Sequence, residues 1–151
     1  MADEKFIDIK RLIKSKNPKL LKWLPGFVIS YLKRILHQEE INSFLKENKH
    51  KKNQEFCDEV MKYFNIKVQV NDIHHIPKEG PVILIMNHPL GGMDGIAFIS
   101  GVMNHRPDIK FIVNDLLMNV ENLKDLFVGV NKHGKNNVSV RNQIKNAFDA
   151  D

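Results

Sequence analysis

One cysteine, Cys57, stands among 151 residues, which excludes an internal disulfide and a cysteine-based zinc site. A reducing compartment is the setting this usage predicts. Long apolar runs are also missing. Near the N-terminus the longest uncharged stretch, Trp23 to Leu32, has ten residues and is broken by Pro25-Gly26. Crossing a bilayer takes roughly 18. The opening MADEKFIDIK has acids where a signal peptide would be basic, and no apolar core. There is no P-loop glycine run, no dinucleotide fingerprint, no internal repeat and no low-complexity tract.

What is present is a globular composition, 42 % apolar and 27 % charged, enough for one ordinary domain or part of a larger one. The net charge of +5 is unevenly placed. Residues 1–54 hold 13 basic and 6 acidic side chains, whereas residues 55–151 hold 10 and 12. A basic first third predicts an anionic partner, a membrane surface or nucleic acid. The competing reading is a solvated helical face.

The pattern of that third narrows the choice. Phe6, Ile9, Leu12 and Ile13 recur at helical spacing, with Lys10, Arg11 and Lys14 between them. Asn17-Pro18 is a helix-start signal. Leu20, Leu21, Trp23 and Leu24 follow between lysines. After Pro25-Gly26, Phe27, Val28, Tyr31, Leu32, Ile35 and Leu36 mark a second amphipathic helix. Lysine-bearing amphipathic helices with Trp, Phe and Leu on the other face can lie in a membrane interface. Equally, they can cover the core of a later sheet. No nucleic-acid signature is present, and the aromatics fall on apolar faces rather than among the lysines, so nucleic acid is not expected as a partner. Lys46 to Lys52, KENKHKK, reads as a solvated connector.

The remainder alternates between strand and helix patterns. Phe56, Val60, Met61 and Phe64 fit a helix, with Cys57 beside its core face. Ile66, Val68 and Val70 alternate as in a half-buried strand, and Val82 to Met86, VILIM, reads as a buried central strand. Met93 to Met103 predicts a helix, Ile109 to Val113 a strand, Leu116 to Leu126 a helix, Phe127 to Val130 a strand, and Val138 to Phe148 a last helix. The fold class is α/β: N-terminal amphipathic helices over 1–54, then a sheet with crossover connections over 55–151.

One segment has chemical content: Met86-Asn87-His88-Pro89-Leu90-Gly91-Gly92-Met93-Asp94-Gly95. It follows the predicted central strand, and sites in open α/β sheets gather at the carboxyl ends of strands. An imidazole ordinarily titrates near 6.5, which suits proton transfer at neutral pH. On one continuous helix His88 and Asp94 would not be neighbours. A turn through Gly91-Gly92 lets the chain double back and set the carboxylate against one ring nitrogen, leaving the other free to take a proton. That is the base–orienter half of a catalytic triad. The alternatives are that His88 caps the strand end, that Asp94 caps the next helix, and that the glycines only build a tight turn. The other histidines offer no comparable pattern. His74-His75 are adjacent and would face apart on a strand. His37, His50, His105 and His133 sit among polar residues and read as surface. No metal site is expected.

NHPLGGMDG, Asn87 to Gly95, resembles the first motif of the glycerolipid acyltransferases, the lysophosphatidate acyltransferase-like superfamily. The usual form is histidine, four residues, aspartate; here five residues intervene. Proline after histidine and Gly-Gly before the acid resemble the bacterial branch, often labelled hemolysin-like, that includes enzymes acylating lyso-amino-acid lipids. The resemblance implies that His88 deprotonates an acceptor hydroxyl, that Asp94 orients His88, and that Asn87, Gly91 and Gly92 border the substrate. It implies no bound cofactor: the donor is an acyl thioester on acyl carrier protein or coenzyme A, and the acceptor is a lyso-lipid. It implies a peripheral place on an anionic membrane surface, at the cytoplasmic side of the inner membrane. Lys110 to Asn131 resembles the second block, where the family's usual arginine is replaced near Asn131, Lys132 and His133. Lys132 is the candidate cation for the acceptor, a point charge without arginine's fork. The third block would follow Phe148, and the sequence ends at Asp151. The expectation is a fragment holding the first part of the acyltransferase sheet. Its alternative function is a non-catalytic membrane-associated module of that fold.

Overall fold

A computed structural model describes residues 7–114, 117–130 and 138–149. The chain divides into two units, residues 1–50 and 51–151.

In the first unit, helix starts follow from local chemistry. The Asp8 carboxylate accepts the N–H groups of Lys10 and Arg11 and caps α1 (Ile9–Lys16). Lys14 and Lys16 lie in its last turn, where the helix dipole favours cations. Asn17 caps α2 (Pro18–Trp23), accepting the Leu20 N–H with Pro18 in the first turn, as Asn17-Pro18 predicts. Pro25 leads into α3 (Gly26–Ile35). His37, in the left-handed region at φ 49°, turns the chain into α4 (Gln38–Glu47), a helix missing from the sequence reading although Ile41, Phe44 and Leu45 recur at helical spacing. Two amide side chains on α4 hold the chain at α1. Asn42 accepts the Ile7 N–H at 2.7 Å and donates to the Ile7 carbonyl at 2.8 Å. Gln38, fully buried, accepts the Ile9 N–H at 3.0 Å. Buried amides with partners of this kind specify one packing rather than many.

The same unit leaves one apolar face bare. Phe27, Tyr31 and Ile35, spaced four apart along α3, are 76 %, 62 % and 50 % exposed, and Trp23 at the end of α2 is 88 % exposed. Lys19, Lys22, Lys33 and Arg34 lie on the same two helices. Phe27, Tyr31 and Ile35 therefore form a stripe along α3 that the described residues do not bury.

In the second unit, α5 (Asn53–Tyr63) buries Phe56, Cys57, Val60 and Met61 against α6 (Gly92–Val102), whose Ile99 and Val102 are buried in turn. Phe64, placed on that face by its spacing, lies just past the helix end and is exposed. Burial pushes the Cys57 thiol up to about 12, with Asp58 adding to the effect. A polar seam joins the two helices: Ser100 donates to Asp58, and Gln54 donates to the Ser100 carbonyl at 3.3 Å. Strands β1 (Phe111–Asn114) and β2 (Phe127–Val130) pair in parallel, Phe111 opposite Phe127 and Asn114 opposite Val130. Between them, where a helix over Leu116 to Leu126 was predicted, lie two 3-10 turns, Leu117–Asn119 and Glu121–Leu126. Asn119, Val120 and Asn122 are poor helix formers, and Asn122 is drawn inward to donate to the Lys51 carbonyl at 2.7 Å. Helix α7 (Val138–Asp149) lies against β2.

Strand pairing is where the structure departs most from the sequence pattern. Neither residues 66–70 nor VILIM at 82–86 enters a ladder. The alternation is there: Val82 and Leu84 are half-buried, while Ile83 and Ile85 are 69 % and 90 % exposed. Period two reports which side chains share a face, whereas a ladder also needs a neighbouring backbone. The buried central strand is thus a half-exposed segment. Residues 68–70 press instead on α6 at Gly101, where a Cβ would come within 2.7 Å of Val70 Cγ2 and 3.0 Å of Val68 Cγ1.

Two polar expectations also change. The basic connector is not merely solvated: Lys51 pairs with Glu59 at 3.1 Å, and Lys52 Nζ donates to the Glu121 carbonyl at 2.8 Å. His105 is half-buried, its Nε2 2.7 Å from the Ile76 carbonyl oxygen. Among the described residues, no helix is long and apolar enough to cross a membrane, and no group of three or more His, Cys, Asp or Glu could hold a metal ion.

Candidate active site

The sequence from Pro89 to Gly91 forms a turn that reverses the chain into α6. Gly91 carries it, with φ 64° and ψ −135°, a conformation essentially restricted to glycine. Gly92 is already the first helical residue. The double glycine is therefore one hinge and one ordinary helix start.

Asp94, third residue of α6, sits where the positive end of the helix dipole favours a carboxylate. Its Oδ2 accepts the Leu90 N–H at 2.7 Å and lies 3.4 Å from His88 Nδ1. The five-residue spacing closes because the turn absorbs the additional residue. Asp94 is not the N-cap, a place held by Gly91, yet it does satisfy a backbone donor of the turn. The turn and the approach of Asp94 to His88 thus occur together. The backbone partner, Leu90, had no signature in the sequence, since any residue at that position supplies the same N–H.

The two side chains differ in access. That of His88 is 56 % exposed and that of Asp94 is 18 % exposed. Nδ1 is the ring nitrogen that faces the carboxylate. The 3.4 Å separation is an ion-pair distance, a few tenths of an ångström longer than a hydrogen bond. Asn87 is exposed beside His88, and Leu90 is 72 % exposed on the other side of the turn. Lys132, with Asn131 and His133, lies outside the described residues.

Sequence reasoning missed a cluster at the far end of α6. Arg106, 6 % exposed, donates through Nη1 to the Pro77 carbonyl at 2.8 Å, through Nη2 to the Gly80 carbonyl at 3.1 Å, and through Nε to Asp108 Oδ1 at 2.8 Å. Its Nη2 also meets Asp108 Oδ2. The hydrogen bond from Arg106 holds the Asp108 carboxyl below the usual carboxylate range. A basic residue in a polar stretch has no pattern that separates this role from plain exposure.

No solved structure matches the chain. The lyso-glycine lipid O-acyltransferase of Bacteroides thetaiotaomicron is 42 % identical over 147 residues, covering 96 % of this chain and 54 % of the relative. The protein of the same name from Phocaeicola vulgatus is 37 % identical over 147 residues, covering 96 % and 52 %. The chain thus spans about half the length of these relatives. Residues 11–150 match the family described as acyltransferase, a span that takes in the His88–Asp94 turn, and on that match the chain belongs to the acyltransferase family.

Proposed function

We propose that this chain moves a fatty acyl group from an acyl thioester, on acyl carrier protein or coenzyme A, to the hydroxyl of a lyso-lipid in phospholipid or amino-lipid biosynthesis. The observation that carries the reading is the exposed His88 ring with Nδ1 3.4 Å from a covered carboxylate, Asp94. The relatives' names, both lyso-glycine lipid O-acyltransferases, support a lyso-lipid acceptor.

The chemistry follows from those two side chains. The acceptor hydroxyl gives its proton to His88 Nε2 while its oxygen forms a bond to the thioester carbonyl carbon. Asp94 holds the ring and stabilises the imidazolium that results. The tetrahedral adduct collapses, the carbon–sulfur bond breaks, and the departing thiolate takes the proton back from the imidazolium. An ester and a free thiol remain. Asn87 and the Gly91–Gly92 turn border the space in which the substrates meet.

The first unit supports a place for this chemistry. Exposed Trp23, Phe27, Tyr31 and Ile35, on two helices that also carry Lys19, Lys22, Lys33 and Arg34, suit the boundary of an anionic leaflet, where each cation adds on the order of 1 kcal/mol. The cytoplasmic side of the inner membrane, with the chain peripheral, fits a donor made in the cytoplasm.

The deciding experiment is acyl transfer from a long-chain thioester to a lyso-lipid by the wild type and His88→Ala. Loss of about 100-fold or more is expected in the variant; equal activity overturns the assignment. A second reading, a membrane-associated module without catalysis, draws on the exposed Ile83 and Ile85 in the segment that leads to His88. Turnover by the purified chain alone eliminates it.

A further inference from the structure

We propose that Arg106 is a positioning residue, gripping the turn at residues 77–80 so that the segment carrying His88 is held at the distance from Asp94 that proton transfer needs. The catalytic consequence rests on the function proposed above; the geometry does not.

Residues 81–87 enter no ladder, so besides the half-burial of Val82 and Leu84 their place is set by what holds their two ends. Both anchors lie on the flanks of α6. At one end, Asp94 in its first turn holds the Leu90 N–H and faces His88. At the other, the loop after Val102 supplies His105 to the Ile76 carbonyl and Arg106 to those of Pro77 and Gly80. Gly80, at φ 78°, is the left-handed residue from which the segment leaves the turn. The chain from Ile76 to Asp94 is thus a loop closed at both ends on one helix.

The chemistry of the clamp is specific to arginine. A guanidinium buried to this degree is costly unless its donors are met. Here three nitrogens reach two carbonyls and both oxygens of Asp108. Lysine carries the charge but has no planar fork, and cannot span two carbonyls and a carboxylate together. Losing the fork leaves the Pro77 and Gly80 carbonyls short of a donor and releases the base of a segment that no neighbouring strand restrains.

The test reads His88 directly. The full chain is labelled with nitrogen-15 in its histidines, and the ring signals of His88 are compared in wild type, Arg106→Gln, Arg106→Lys and Glu59→Gln. The last removes the ion pairs of Glu59 with Lys51 and Lys62, elsewhere in the same unit, and controls for lost stability. Wild type is expected to show the Nδ1-protonated ring that Asp94 favours. Arg106→Gln is expected to move toward the Nε2-protonated form, Arg106→Lys to lie between, and Glu59→Gln to match wild type. In acyl transfer, Arg106→Gln should lower kcat by about 100-fold with KM little changed, the effect of a misplaced reacting group. A folded Arg106→Gln with the wild-type His88 spectrum overturns the proposal. Should that variant not fold, Arg106→Lys decides by the same spectrum. A wild-type His88 with no Nδ1 preference overturns the pairing with Asp94 and the positioning role with it. Absent acyl transfer, with the spectral changes intact, counts against the proposed function alone.

Discussion

A single carboxylate oxygen of Asp94 serves two groups, the Leu90 N–H at 2.7 Å and the His88 ring at 3.4 Å. The residue therefore builds the turn and faces the candidate base with the same atom. Asp94→Asn and Asp94→Ala should separate the two roles. The asparagine variant keeps an acceptor for Leu90 and should melt close to wild type, yet lose about two to four orders of magnitude in transfer rate. The alanine variant should lose both activity and about 1 kcal/mol of stability. Wild-type rates in the asparagine variant would remove Asp94 from the mechanism.

The two glycines of the turn should respond oppositely to alanine. Gly91, at φ 64° and ψ −135°, admits no ordinary side chain without strain, so Gly91→Ala should cost about 1–3 kcal/mol. Gly92 is helical, and a Cβ there meets nothing within 4 Å. Gly92→Ala should stabilise by up to about 1 kcal/mol. Thermal denaturation checks both, and equal effects would mean that the turn is shared by the pair.

Trp23 is the chain's one tryptophan and is 88 % exposed. On vesicles rich in anionic lipid its emission should shift to the blue and strengthen, and the change should weaken with salt as the lysines are screened. Phe27→Ala with Tyr31→Ala should reduce binding. Emission that ignores the vesicles would reject the docking face.

Acid should weaken the second unit through two carboxylates. Hydrogen bonds from Arg106 and from Lys51 hold Asp108 and Glu59, respectively, below their ordinary range. Depressed groups add stability that is complete above the unfolded pKa of about 4 and is lost as pH falls through the lower folded value. Between about pH 5 and about pH 3 the wild type should lose more of its melting temperature than Asp108→Asn combined with Glu59→Gln. Parallel losses would contradict this.

Much of the helical framework was legible in the residues. Asn17-Pro18 marks the start of α2, Met93 to Met103 falls within a residue of α6, and FVGV is β2 as read. These depend on caps and side-chain periods, which are local. What failed depends on partners. VILIM alternates as a strand would, but no pattern in it can supply the adjacent backbone that a ladder requires. Helix α4 was legible too, since Ile41, Phe44 and Leu45 recur at helical spacing, but it went unread; its polar contacts, Gln38 with Ile9 and Asn42 with Ile7, were not legible at all. At the candidate site, the His88–Asp94 proximity was anticipated from a turn through Gly91-Gly92, of which Gly91 alone proves to carry the unusual backbone. The Arg106 clamp was not, since it joins main-chain oxygens that every sequence possesses.

Cys57 is fully buried, and its thiol is pushed up to about 12. At neutral pH the sulfur is neither ionised nor reachable, and only the thiolate attacks a thioester. An acyl-cysteine intermediate is therefore closed to this chain. With direct attack by the acceptor hydroxyl, as proposed above, initial-velocity lines for donor and acceptor should intersect, not run parallel as they do for a ping-pong sequence, and thiol-blocking reagents should leave turnover untouched.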